Sequence, residues 1–288
     1  MRLDLFKTLW GHNGSLAEAA VQAGEAGFVG LEATLPLAAE RQRELAAVLR
    51  DHGLGYIGEV YTGGWYVPDR RAPPERHLAD VAAALAAADV LAPRFVTCIG
   101  GCDAWPLDVS LRFFEDALRL AEQAGHTLLF ETHRSRSLFN PWITVELLGR
   151  LPELRLTCDF SHWCVVCERA LDEETEAMEL VVEHAHHIHA RVGYDQGPQV
   201  PHPAAPEYAG WLASHQRLWE RIWQRRHARG ESVVTMTPEF GPDGYLHELP
   251  YTRMPVADLW QVNAWMGATE REHFRDWLGR AGWVAGPR

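Results

Sequence analysis

Short apolar runs alternate with longer amphipathic segments along the chain, and the alternation is kept from one end to the other. Residues 2–10 (RLDLFKTLW) read as a strand. Residues 15–27 read as a helix with Ser15 at its N-cap, Glu18 completing a capping box and Gly27 ending it. A second strand over 28–34 and a helix over 39–52 follow, then a strand over 54–62 and an Ala-rich helix over 74–91 that starts at Pro73-Pro74. The later strands fall at 94–100, 126–132, 154–160, 186–192 and 232–240. The later helices fall at 108–124, 141–150, 173–185, 207–228 and 255–280.

Strict alternation implies parallel strands joined by crossover helices. Eight units within 288 residues suit a closed (β/α)8 TIM barrel, an α/β fold, better than an open doubly wound sheet. No linker divides the chain, so residues 1–288 are expected to form a single barrel domain. His12-Asn13-Gly14-Ser15 after the first strand is not a GxGxxG phosphate fingerprint. The Gly- and Pro-rich stretch over 193–206 is too long for a routine connection and reads as a lid or an interface.

Composition narrows the class. Apolar residues make up 47% and charged residues 23%, enough for a large core under a charged surface. No apolar run is long enough to cross a bilayer, and the N-terminal residues lack a signal-peptide plan, so a cytoplasmic protein with no membrane partner is expected. A net charge of −12 argues against nucleic-acid partners, which need clustered Lys and Arg. Lys7 is the only lysine. The five cysteines are odd in number and read as reduced thiols, with Cys164-Val165-Val166-Cys167 as a structural pair.

A barrel of this kind carries its active site at the C-terminal ends of its strands. Strand five ends in Phe130-Glu131, strand six in Cys158-Asp159, strand seven carries His187-Ile188-His189, and strand eight ends in Pro238-Glu239-Phe240. A lone strand-end acid more often caps the next helix. Four successive strands that each deliver a carboxylate or imidazole at one level point instead to one divalent metal ion. Three carboxylates and one imidazole form a hard, oxygen-rich set that favours Mn2+ or Mg2+ and admits Zn2+ or Co2+.

The same stretches resemble the xylose isomerase-like TIM-barrel superfamily, in its sugar (or sugar-phosphate) isomerase/epimerase branch. The resemblance rests on Ala26-Gly27-Phe28-Val29-Gly30-Leu31-Glu32, Phe130-Glu131, Asp159 with His162 three residues on, Ile188-His189 and Pro238-Glu239-Phe240. It implies that Glu131 and Glu239 bind metal and also act as the acid/base pair on opposite faces of a substrate carbon. Asp159 and His189 are then the remaining ligands, and His162 touches substrate or acts as an acid behind them. The implied reaction is isomerisation or epimerisation of a sugar, keto-sugar or polyol by proton abstraction next to a carbonyl. A lyase or dehydratase reaction would use the same residues. Many relatives have His-x-Lys-Asp where this chain has His189-Ala190-Arg191-Val192, so the substrate contact there differs. A nuclease of the AP endonuclease kind needs extra histidines at strands three and four and an Asp-x-His after strand seven, none of which is found. A non-catalytic barrel would have no reason to keep all four ligands.

Other residues are candidates for the pocket. Alternation turns Arg191 to the same face as His189, where it suits a hydroxyl, carboxylate or phosphate. Lys7 and Glu59 lie near the ends of strands one and three, as substrate contacts or structural groups. Glu32 reads as a hydrogen-bonded acid beneath the site and His187 as support. His184 and His186 read as helix-end and opposite-face residues. Trp10, Trp65, Trp105, Phe160 and Trp163 suit either an aromatic wall for a sugar or packing. Trp211, Trp219 and Trp223 recur at helical spacing, which fits core packing or a homo-oligomer contact.

Overall fold

A computed structural model describes residues 1–242 and 244–283. The strands are β1 (Arg2–Thr8), β2 (Gly30–Thr34), β3 (Gly55–Tyr61), β4 (Val96–Ile99), β5 (Leu128–Glu131), β6 (Leu156–Cys158), β7 (Ala185–His189) and β8 (Val233–Thr237). All pair in parallel in sequence order, and β8 returns to β1 to close the barrel. The helices are α1 (Leu16–Glu25), α2 (Ala39–His52), α3 (Pro74–Leu91), α4 (Leu107–Ala124), α5 (Pro141–Arg150), α6 (Ser161–Cys167), α7 (Thr175–His184), α8 (Ala209–Ala228) and α9 (Leu259–Arg280). The capping box at Ser15 and Glu18 forms as expected.

Two expectations need correction. The sixth strand–helix unit holds two helices, because α6 starts two residues after Asp159 and uses residues taken for loop. The 193–206 stretch is not an open lid. Only three of its fourteen residues are exposed and six are buried, and Gln199 bonds both the N–H and the C=O of Gly241 at 2.8 and 3.2 Å, which pins it to the end of β8.

The lumen is layered. Asp4 sits at its lower end, paired with Arg2 and Arg94 at 2.7 and 2.8 Å. Phe6, Ile57, Phe95 and Leu129 form an apolar plug above it. Gly30 makes the plug possible, since a Cβ there would meet the Phe6 ring at 2.4 Å. Outside the strands a continuous apolar core packs the helices on the wall. Trp219 and Trp223 are fully buried in it, with Trp223 edge-on to Phe274. The five cysteines are free and buried. Burial pushes their thiols up, to about 12 for Cys98 and about 11 for Cys167. Among the described residues no helix is long and apolar enough to cross a membrane.

Candidate metal centre at the barrel mouth

The strands run short, so the key side chains sit at or just past their C-terminal ends. Glu131 is the last residue of β5, and His189 is the last of β7. Asp159 follows β6 by one residue, and Glu239 follows β8 by two. Inward parity brings all four together: one ligand atom from each lies within 4.8 Å of every other. All four are at most 5% exposed.

The imidazole of His189 is aimed from below. Its Nε2 lies 3.1 Å from Glu32 Oε1, and His187 Nε2 lies 3.1 Å from Glu32 Oε2. A carboxylate only accepts, so both Nε2 atoms carry the hydrogen. Burial pushes Glu32 up, but the charges and hydrogen bonds of His187 and His189 outweigh it and hold the acid well below the ordinary carboxylate range. Thr237 Oγ1 donates to the same carboxylate, and His187 Nδ1 meets Thr235 Oγ1 at 2.8 Å. Glu32 and His187 are thus the supports that their positions suggested.

With Nε2 engaged, the other nitrogen of His189 is left facing the acids. Nδ1 stands 3.1 Å from Glu239 Oε2 and 3.6 Å from Glu131 Oε1, yet it is fully buried and makes no well-formed hydrogen bond. A buried polar atom without a partner is costly. A carboxylate that orients an imidazole whose second nitrogen points at further carboxylates is the arrangement found around protein-bound divalent metals. The donor set therefore fits a hard divalent ion held by Glu131, Asp159, His189 and Glu239.

Cations and histidines surround the acids. Arg191, 1% exposed, donates through Nη2 to Asp159 Oδ2 and through Nε to Ser161 Oγ at 3.0 Å. Its Nη2 also lies 2.7 Å from His162 Nε2 and 3.6 Å from Glu239 Oε2. An arginine cannot accept, so His162 Nε2 does, and its Nδ1 has no partner. Burial, with the nearby charges of His133 and Arg191, holds His162 well below the usual range and keeps it neutral. Burial raises Glu131 to about 7, against the pull of the neighbouring His189 imidazole. Glu59 reaches the lumen beside the cluster, where burial and then Glu32 raise it well above its ordinary value. Its Oε1 has no partner.

Lys7 is not brought to this cluster. Phe6 takes an inward position of β1, which leaves its neighbour Lys7 on the outer side of the wall against Trp260 of α9. Among the five aromatics considered, Trp10 lines the cavity above the acids. Trp105 packs on His77 and Phe113, and Phe160 and Trp163 are fully buried. Trp65 is half exposed and lies against Tyr61. His184 and His186 bond backbone carbonyls away from the site.

The structure adds residues that sequence reasoning passed over. The cavity is walled by Tyr61, Tyr66, His133 and Tyr245 as well as Trp10, Arg191 and the two glutamates. His133 lies two residues after Glu131, so parity alone would have found it. Its ring lies against that of His162, with centroids 3.9 Å apart and the planes tilted by 48°. Tyr245 comes from the β8–α9 loop, meets Trp10 edge-on at 4.8 Å and lies 4.8 Å from the Arg191 guanidinium. Gly241 permits this cover, since a Cβ there would strike Trp10 at 2.0 Å. Arg136 is fully buried and donates to the carbonyls of Thr62 (2.6 Å), Trp65, Tyr66 (3.1 Å) and Gly101 (3.3 Å), so it fixes the loop that carries Tyr66. The covered cavity has a volume of about 20 Å3, room for a water or an ion.

The comparisons with known proteins agree with this architecture. The model of the xylose isomerase-like TIM barrel family matches residues 19–206. No curated protein matches the chain. A xylose isomerase-like TIM barrel protein from Mycobacterium smegmatis, solved in complex with magnesium, is similar at 14% identity and TM-score 0.66, covering 96% of this chain and 97% of its own. An L-ribulose 3-epimerase matches at 17% identity and TM-score 0.65, covering 100% and 99%. Endonuclease IV from Thermus thermophilus matches at 16% identity and TM-score 0.58, covering 97% and 100%. Other sugar epimerases and a probable dehydratase also occur among the similar structures. At such identities the likeness is one of fold, whereas the family match covers more than half of the sequence. The chain belongs to the xylose isomerase-like TIM barrel family.

Proposed function

We propose that this protein is a divalent-metal-dependent isomerase or epimerase of a sugar, keto-sugar or related polyol. The observation that carries the reading is the His189 imidazole, bound to Glu32 on one side and left with a bare Nδ1 among Glu131, Asp159 and Glu239. Mn2+ or Mg2+ suits the three carboxylates best. When bound, such an ion supplies Lewis acidity to a carbonyl oxygen.

The side chains divide the remaining work. Glu131 and Glu239 both lie beside the His189 imidazole, and in the role that the family resemblance implies for them one takes a proton from the substrate carbon and the other returns it on the far face. Glu59, kept protonated by burial, donates a hydrogen bond to a substrate hydroxyl in this reading. Arg191 presents donors to further oxygens, with Ser161 and Asp159 keeping the guanidinium in place and His162 Nε2 accepting from it. Tyr245 and Trp10 exclude water once the substrate is in. A cavity of about 20 Å3 does not hold a sugar, so entry requires the aromatic cover to swing away.

The test is proton exchange. Protein stripped with a chelator and then reloaded with Mn2+ or Mg2+ is incubated in D2O with a panel of ketoses and keto-sugars and followed by NMR. Deuterium should enter next to the carbonyl only after reloading, with the epimer accumulating. Full exchange in verified metal-free protein would sink the proposal. Loss of water from the substrate would move it to the dehydratase reading on the same residues.

A further inference from the structure

A second cavity lies outside the barrel wall, in a cleft of about 600 Å3 between α1 and α9. Its volume falls within the range of small-molecule sites. Lys7 reaches it from β1, and Trp10, Trp260 and Asn263 help to line it. The lysine is 5% exposed, and its ammonium lies 4.0 Å from the centroid of the Trp260 ring. Among the described residues it has no ion pair and no hydrogen bond. Burial alone lowers it to about 8, with no carboxylate contributing.

Two acids also border the cleft, and both are committed elsewhere. Glu18 accepts from Ser15 N and Oγ at 2.6 and 2.9 Å, as the capping box of α1. Asp258 accepts from Gln261 N at 2.8 Å, as the cap of α9. His12, the other titratable group in the lining, bonds the Ser15 carbonyl at 3.0 Å. A buried ammonium without a counter-ion, in a chain that uses arginine for every other fixed cation, is a charge waiting for an external partner.

We propose that this cleft binds a small organic oxyanion, whose carboxylate or phosphate pairs with Lys7 and whose body lies against Trp10. The site is distinct from the metal centre and does not depend on the reaction proposed for it. Trp10 walls both cavities, so an occupant of the cleft also braces the cover of the metal centre.

Because Lys7 is the only lysine, reductive methylation with 13C-formaldehyde gives one side-chain amine signal besides the terminal amine. This signal is titrated with D-glucose 6-phosphate, D-gluconate, inorganic phosphate and neutral D-glucose. A saturable shift with at least one of the sugar anions and none with glucose is expected, together with a rise in the amine's pKa towards the ordinary lysine value. Response to the phosphorylated sugar alone, or to gluconate alone, assigns the anionic group. Calorimetry on unmodified protein should show at least a tenfold loss of that affinity in Lys7→Met, with metal stoichiometry unchanged. Silence to every anion, an equal response to glucose, or undiminished binding in Lys7→Met overturns the proposal. Should Lys7→Met fail to fold, Lys7→Gln serves the same comparison.

Discussion

The lower and upper halves of the barrel lumen belong to one closed sheet and obey opposite rules. Below, Phe6, Ile57, Phe95 and Leu129 fill the space with rings and branched chains and need no partner beyond each other. Above, Glu32, Glu131, Asp159, His189, Arg191 and Glu239 are as deeply buried, and each depends on its neighbours for charge and direction. The difference shows what the plug is for. A rigid apolar floor lets a costly polar roof be held in one geometry, and the Glu32 layer between them converts packing into the orientation of the His189 imidazole.

Removing a carboxylate to which the proposed reaction assigns a proton breaks the comparison from the top. Glu239→Gln should reduce turnover by roughly 10²–10⁴-fold, while the melting temperature stays close to that of the parent. A large fall in melting temperature would mean that the roof also carries stability. Emptying the floor breaks it from the bottom: Phe95→Ala should cost about 3–5 kcal/mol in urea unfolding, with metal stoichiometry by calorimetry unchanged at native conditions. The smallest effect belongs to the layer between. Glu32→Gln keeps the shape but not the charge, and metal affinity should weaken by about 10–100-fold while binding remains one ion per chain. Unaltered affinity in that variant would show that His189 is aimed by packing alone.

Much of this was legible in the sequence because it follows from parity and order. Eight alternating units gave the barrel, and strand-end positions gave Glu131, Asp159, His189 and Glu239 as one cluster. Lys7 shows where parity must be anchored. Its position near the end of β1 suggested the pocket, but one inward neighbour, Phe6, turns it to the other side of the wall. The short α6 was missed because seven residues carry too little periodicity to distinguish a helix from a loop. Tyr245 and Arg136 lie on connections, where no repeat tells which way a side chain points. They are found only when the loops are folded over the mouth.

The five thiols have a practical consequence. Each is buried, free and held in its unreactive protonated form at neutral pH. An alkylating reagent in solution therefore records only molecules that have opened. Because the cysteines sit in β4, its following loop, β6 and α6, the order in which they are modified times the loosening of one half of the barrel. The chain thus carries its own stopwatch for local unfolding, without any added probe.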